Sequence, residues 1–272
     1  MIPAPFDYEV AGSVQEAVEL LGSRGDAKLI AGGHSLLPLM RLRLAQPELL
    51  VDVGRLTDLA YVREDGDRIA IGALTRHHDL ERDALLRERC AILTDTAGEI
   101  GDPQVRHVGT IGGSVAHGDP ASDLPTVLLA LDADFVVRGP EGERTMPAAD
   151  FFTGFLETAL GPQDVLTEIR VPATQAGTYE KFNRRAQDWA TVGVAVVRSN
   201  GGVGVGLTNM GATPLRAGGV EEALAGGADP AAAAARAAEG TSPPSDHNGS
   251  AEYREHLVRV LVRRALEAVG RA

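Results

Sequence analysis

Two glycine pairs, each following an apolar run, constrain this chain more than any other feature: "AKLIAGGHS" over residues 27–35 and "VGTIGGSVA" over residues 108–116. A strand that runs into paired glycines can turn tightly and bring its backbone close to a ligand, because neither glycine has a Cβ in the way. Successive N–H groups then converge on an anion. A helix opening near Ser35 adds its positive end, and Pro38 is tolerated in a first turn. The simpler alternative for this segment alone is a strand, turn and helix with Ser35 as the N-cap. The second pair, Gly112 and Gly113 between the hydroxyls of Thr110 and Ser114, tips the balance. Two such loops suit a long ligand with a diphosphate better than one turn does.

The same residues raise a different chemistry, since Gly33-His34-Ser35-Leu36-Leu37 nearly matches the G-x-S-x-G elbow of serine hydrolases. The strained elbow needs a small residue two places after the serine, and Leu37 is large. Only one strand precedes it, where the elbow normally follows several. A nucleophilic Ser35 is therefore the weaker reading. Neither G-x-G-x-x-G nor G-x-x-x-x-G-K-[ST] occurs, so an ordinary dinucleotide fold or a P-loop is not indicated. "GGVGVGLTNMG" reads as a strand with glycines at close-packed positions.

Composition narrows the function classes. The chain has 272 residues and a formal charge of −12, from 26 basic and 38 acidic side chains, so nucleic acid finds no global attraction. Its length suits about two cores of roughly 150 residues each. The single cysteine, Cys90, makes no internal disulfide and by itself holds neither zinc nor an iron–sulfur cluster. A soluble protein of the reducing cytosol is expected, with no signal peptide or spanning helix.

Along the chain, "GSVQEAVELLGSRGD" predicts a helix capped by Ser13 with Glu16 in capping-box position, stopped at Gly22. Strands follow at "AKLI" and "PELLVDV". Asp65-Gly66 predicts a hairpin. Thr75 is expected to cap a largely helical stretch through Ile100. Residues 101–125 read as a long functional loop. A helix and strands then lead to Pro172, and a last strand group is packed by helices. The expected organisation is three lobes, 1–55, 56–172 and 173–272. Asp123 reads either as an acceptor for sugar or ribityl hydroxyls or, with Ser122, as a helix cap. Lys181, Arg184 and Arg185 read as anion contacts or a solvated face, Trp189 as core, and His77-His78 as a surface pair at a helix start.

Taken together, "AGGHSLLPLMRLRL" and "GDPQVRHVGTIGGSVAHGDPASDLP" resemble the FAD-binding subunits of molybdenum hydroxylases, the flavin family that includes the flavin domain of xanthine dehydrogenase. The opening "MIPAPFDYEV", "AQPELLVDV", "GLTNMGATPL" and "AEYREHLVRVLVRRAL" fit as well, so the likeness spans essentially the whole chain. The resemblance implies an α+β fold: a two-lobed PCMH-type FAD-binding domain, then a C-terminal domain with a small antiparallel sheet packed by helices. It implies that Lys28, Leu29, Ile30, Ala31, Gly32, Gly33, His34 and Ser35, with Thr110, Ile111, Gly112, Gly113 and Ser114, wrap FAD. Asp123 falls at a flavin-contacting acid, Ile100 beside the isoalloxazine ring, and Leu166 and Lys181 at further contacts. Ser114 stands where the motif commonly has asparagine. Trp189 falls where a relative has a tyrosine near the flavin.

By the same resemblance, substrate oxidation belongs to a large partner subunit with a molybdenum–pterin cofactor. Electrons reach this chain's FAD from a small subunit with two [2Fe–2S] clusters and leave to a quinone or another acceptor. No catalytic acid, base or metal site is expected in this chain. A dimer of heterotrimers is expected, cytoplasmic, with any membrane contact peripheral. The likeness favours carbon monoxide as the substrate of the complex, with purine, nicotine and other aromatic substrates as alternatives.

Overall fold

A computed structural model describes residues 2–199 and 202–271. The first sheet is parallel, with β1 (Asp7–Val10), β2 (Ala27–Ile30) and β3 (Leu49–Asp52) in the order β1-β3-β2. Central β3 buries Leu49, Leu50 and Val51, an unbroken apolar run such as a strand covered on both faces requires. Helix α1 (Val14–Ser23) starts as expected, with Ser13 Oγ accepting from Glu16 N at 3.1 Å. The Glu16 carboxylate reaches back one residue further than a capping box, to Gly12 N at 2.7 Å. Gly22 does not stop the helix, which runs on to Ser23. Helix α2 (Leu36–Arg41) follows the first glycine pair.

A five-stranded antiparallel sheet forms the second lobe, ordered β4-β5-β10-β6-β7. It is built from β4 (Val62–Asp65), β5 (Arg68–Gly72), β6 (Asp134–Gly139), β7 (Gly142–Pro147) and β10 (Val165–Pro172). The hairpin pairs Asp65 with Arg68, so the turn is Gly66-Asp67, one residue later than the sequence suggests. The helical stretch breaks into α3 (His77–Arg82), α4 (Ala84–Arg89) and α5 (Ala91–Gly98). Asp83 interrupts it by accepting from Leu86 N at 2.9 Å. Thr75 caps nothing, because its hydroxyl is occupied with the backbone of Tyr61.

The polar stretch 101–125 is not a long loop. It folds into α6 (Pro103–Arg106), α7 (Ile111–His117) and the start of α8 (Asp123–Ala130), each short enough to hide its period among glycines and prolines. Short α9 (Ala148–Phe151) leads into a hairpin, β8 (Phe152–Gly154) and β9 (Glu157–Thr158), whose tip holds Leu156 at φ +57°.

The last lobe is an antiparallel sheet, β11 (Ala176–Phe182), β12 (Val192–Ser199), β13 (Gly202–Thr208) and β14 (Leu215–Arg216), with α10 (Gly218–Ala225), α11 (Pro230–Ala234) and α12 (Ala251–Arg271). Helix α12 buries Leu257, Val258, Leu261, Val262, Ala265, Leu266 and Val269, a helical stripe, against this sheet's core. Of the three glycines of β13, Gly204 and Gly206 are close-packed as expected, whereas Gly202 at its start meets nothing within 4 Å. A Cβ on Gly204 would lie 2.2 Å from Ala130 O, and one on Gly206 2.6 Å from Thr126 O, so α8 lies directly on the strand.

Candidate functional site

Between the first and second lobes opens a cleft of about 580 Å³, closed at one side by β11 and the loop after it. Such a volume suits a bound small molecule or cofactor. One wall is the end of β2 and the turn behind it, Lys28 to Ser35. The other carries Ile100, Thr110, Gly112, Gly113 and Ser114, and Asp123, Leu166 and Lys181 complete the lining. Ile111 is the exception among the residues singled out in the sequence. Its side chain is fully buried in the second lobe's core, and its N–H donates to Thr75 O at 3.0 Å.

The two glycine pairs do different work. Gly33 adopts φ +72°, which permits the abrupt turn from β2 into α2. Among the described residues no acceptor takes the N–H groups of Gly32, Gly33, His34 or Ser35, and the first bond of the turn is Leu37 N to Gly33 O at 2.9 Å. These donors border the cleft and form a ready anion cradle. In the second pair and its flanks, the N–H groups of Ile111 to Ser114 are already taken: Ile111 by Thr75 O, Gly112 by Ala73 O at 2.8 Å, Gly113 by Thr110 Oγ1 at 3.1 Å and Ser114 by Thr110 O at 3.1 Å. That segment offers the cleft its hydroxyls and the close approach of α7, not free backbone donors.

The missing Cβ atoms also serve protein contacts. A Cβ on Gly32 would stand 2.5 Å from Val108 O, and one on Gly112 2.6 Å from both Ala73 Cβ and Ala73 O. Gly32 thus lets the first-lobe turn touch the backbone of the second lobe at Val108-Gly109. Gly112 lets α7 sit on the chain leaving β5. The sequence reading of bare glycines facing a diphosphate changes accordingly, because two of the four face other backbone.

Asp123 does not cap its helix; Ser122 holds the N-cap position without a side-chain bond. The carboxylate instead receives Lys181 Nζ on Oδ2 at 2.9 Å and Tyr179 OH on Oδ1 at 2.7 Å. Lys181 also donates to Glu99 O at 3.1 Å, and the lysine and aspartate side chains are only 4% and 6% exposed, so Lys181 is no solvated residue. Tyr179 OH lies 3.0 Å from Thr208 Oγ1, which donates to Thr126 Oγ1 at 2.8 Å. A Cβ on Gly193 would come 2.3 Å from the phenol oxygen, so that glycine makes the room. Burial pushes the Asp123 carboxyl up against the opposing pull of Lys181 and Tyr179, and burial followed by the Asp123 charge holds the Tyr179 phenol well above its usual value.

Two other expectations are overturned. Trp189 is 57% exposed and lines the cleft from the loop between β11 and β12, where no core surrounds it. His77 is not a surface residue: it is buried, it lines the cleft, and burial, Arg106 and His34 lower its pKa to about 4. Its neighbour His78 stacks on His107 with ring centroids 3.9 Å apart. Tyr179 was missed although a signal existed, since it stands two residues from Lys181 on the same strand face. Ser35 makes no side-chain bond as an N-cap, and no histidine or acid engages its hydroxyl among the described residues, which leaves the hydrolase reading without a triad.

A cleft between a parallel and an antiparallel lobe, with a free N–H cradle at one wall and a buried lysine–carboxylate pair at the other, defines a nucleotide-cofactor protein. Comparison with known families is consistent with this. Residues 4–174 match the FAD binding domain in molybdopterin dehydrogenase, and residues 177–269 match the CO dehydrogenase flavoprotein C-terminal domain. The carbon monoxide dehydrogenase medium chain of Hydrogenophaga pseudoflava is 45% identical over 98% of each chain. The 6-hydroxypseudooxynicotine dehydrogenase complex subunit alpha of Paenarthrobacter nicotinovorans is 39% identical over 100% of this chain and 97% of its own. A solved Hydrogenophaga pseudoflava carbon monoxide dehydrogenase superposes with a TM-score of 0.95 over 100% of this chain and 99% of that one, at 45% identity. The chain belongs to the FAD-binding subunits of molybdopterin dehydrogenases. It is a flavoprotein subunit of a molybdenum-containing, carbon monoxide dehydrogenase-like oxidoreductase.

Proposed function

We propose that this chain holds FAD in the cleft between its first two lobes and serves a carbon monoxide-oxidising complex as the electron-transfer subunit. It receives electrons from [2Fe–2S] clusters of a small partner subunit and delivers them to a quinone or another acceptor. The observation that carries the reading is the cradle of free N–H groups at Gly32 to Ser35, opposite the buried Asp123–Lys181 pair and in one continuous cleft. The cradle fits a diphosphate, and the volume fits an extended cofactor. When bound, FAD supplies the coupling between one-electron and two-electron partners.

The chain's own residues bind and orient. Gly32 to Ser35 donate to the diphosphate, and the hydroxyls of Thr110 and Ser114 line the facing wall. Ile100 and Leu166 give apolar contact for the ring system. Asp123, fixed by Lys181 and Tyr179, presents its remaining lone pairs to hydroxyl or ring N–H donors. Trp189 stands at the mouth as an aromatic cover. The three larger of the four sheets, one in each segment, support the division 1–55, 56–172 and 173–272.

Substrate oxidation then belongs to a large molybdenum-cofactor subunit and cluster chemistry to the small one. A single cysteine cannot by itself hold an iron–sulfur cluster, which supports placing the clusters in a partner. The complex is read as a cytoplasmic dimer of heterotrimers. No described helix is long and apolar enough to cross a membrane. The identities of 45% and 43% to two carbon monoxide dehydrogenase medium chains, against 39% to the 6-hydroxypseudooxynicotine dehydrogenase subunit and 36% to a nicotine 6-hydroxylase subunit, favour carbon monoxide as donor. The test is to purify the native complex and measure bleaching of its flavin absorbance by candidate donors, with carbon monoxide first. Bleaching by carbon monoxide is expected; bleaching only by a purine or pyridine donor overturns the substrate assignment.

A further inference from the structure

His77 opens α3, with its backbone N–H held by Gly109 O at 3.0 Å. Its imidazole lies over Gly109, where a Cβ would come 2.9 Å from Cδ2 and 3.1 Å from Nε2. Gly109 is also the residue against which Gly32 packs, with its Cα 2.9 Å from a Cβ built on Gly32. The ring therefore sits at the seam where the two glycine turns meet, beside the free N–H groups of the first. Its remaining 5% exposure opens on a residue that lines the cleft.

The two ring nitrogens differ. Nδ1 is sealed from solvent with no hydrogen-bond partner among the described residues, whereas Nε2 is not among the sealed atoms and has no protein partner either. Nδ1 is unpartnered in either tautomer, a buried donor when it carries the proton and a buried acceptor when it does not. A proton on Nε2 faces the accessible side. With Nδ1 closed off from any partner, an acceptor arriving at Nε2 selects the Nε2–H tautomer. Burial, Arg106 and His34 all oppose a second proton, so the ring is neutral at ordinary pH.

We propose that His77 is a neutral hydrogen-bond donor to the bound flavin dinucleotide, giving its Nε2–H to an oxygen of the cofactor at the seam between the two glycine turns. The proposal rests on the reading of the cleft as the FAD site. Such a donor extends the cradle of Gly32 to Ser35 by one side chain without adding a charge that varies with pH.

The full chain is titrated with FAD, followed by flavin fluorescence, for the wild type, His77→Gln and His77→Leu. Leucine fills space without a donor and is expected to weaken FAD binding by roughly tenfold or more, while glutamine, which keeps an N–H donor, stays within about threefold of wild type. In the ¹⁵N spectrum of the wild-type chain, the Nε2 resonance should move when FAD is added and Nε2 should then carry the proton across neutral pH, a signal that a space-filling ring would not give. Wild-type affinity in His77→Leu, or equal loss in both variants with the wild-type ring signal unmoved by FAD, overturns the proposal alone. A wild-type chain that takes up no FAD overturns the reading of the cleft, and the proposal with it.

Discussion

Replacing Lys181 with methionine removes the ammonium from a pair that water scarcely reaches. The stem keeps its length, so packing is largely retained. Asp123 then keeps Tyr179 as its donor, and Glu99 O loses one. Removing one member of a buried pair costs about 3–5 kcal/mol, because the other charge is left uncompensated. The lower part of that range is expected here. The Asp123 carboxyl already lies above its ordinary value with Lys181 present, so the variant can relieve itself by taking up a proton.

The sign of the pH dependence follows. A carboxyl whose pKa is raised in the folded state stabilises the fold in its protonated form, and stability is lost as pH rises through the folded value. Without Lys181 the rise is larger. The deficit of Lys181→Met relative to wild type should therefore be greatest near about pH 7.5 and shrink toward about pH 5. Adding Asp123→Asn removes the uncompensated charge and should restore about 1–3 kcal/mol at neutral pH. Urea unfolding of wild type, the single variant and the double variant at both pH values measures these differences, with flavin content read in parallel. A loss below about 1 kcal/mol that is the same at both pH values would refute the claim that solvent is excluded from the pair.

Gly32→Ala forces a Cβ to within 2.5 Å of Val108 O, so the two lobes must part at the cradle; FAD retention should fall together with stability, by about 1–3 kcal/mol in urea unfolding. Full retention of both would mean the lobes do not meet there. Cys90 is buried and its thiol is pushed up to about 12 by burial, so iodoacetamide should leave it unmodified in the native chain and label it stoichiometrically in denaturant. Rapid native labelling, read by mass spectrometry, would place Cys90 outside the core.

Much of this fold lies open in the residue pattern because its signals are local. The apolar run of β3, the alternation across β13 and the stripe of α12 each state their partner's presence through period alone. The stretch 101–125, with its glycines, prolines and charges, carries no such period, and its short helices α6 and α7 exist because caps and tertiary contacts hold them. Asp102 accepts from Val105 N at 2.9 Å, and Ala73 O receives Gly112 N, a partner from another element entirely.

For the site, the sequence by itself determined that two glycine turns follow apolar segments, that one cysteine cannot alone hold zinc or an iron–sulfur cluster, and that Asp123 and Lys181 are candidates for polar contact. It left the direction of each group open. Only the tertiary structure decided that the first turn keeps its N–H groups free while Ile111 to Ser114 give theirs to the protein. It also decided that Gly32 and Gly112 are bare to admit backbone, that Trp189 faces the cleft, and that His77 is buried at the seam. The physical reason is common to all four. Whether an N–H has an acceptor, a Cα a neighbour or a ring a solvent path depends on segments far apart in the chain, and no local spacing encodes where those segments meet.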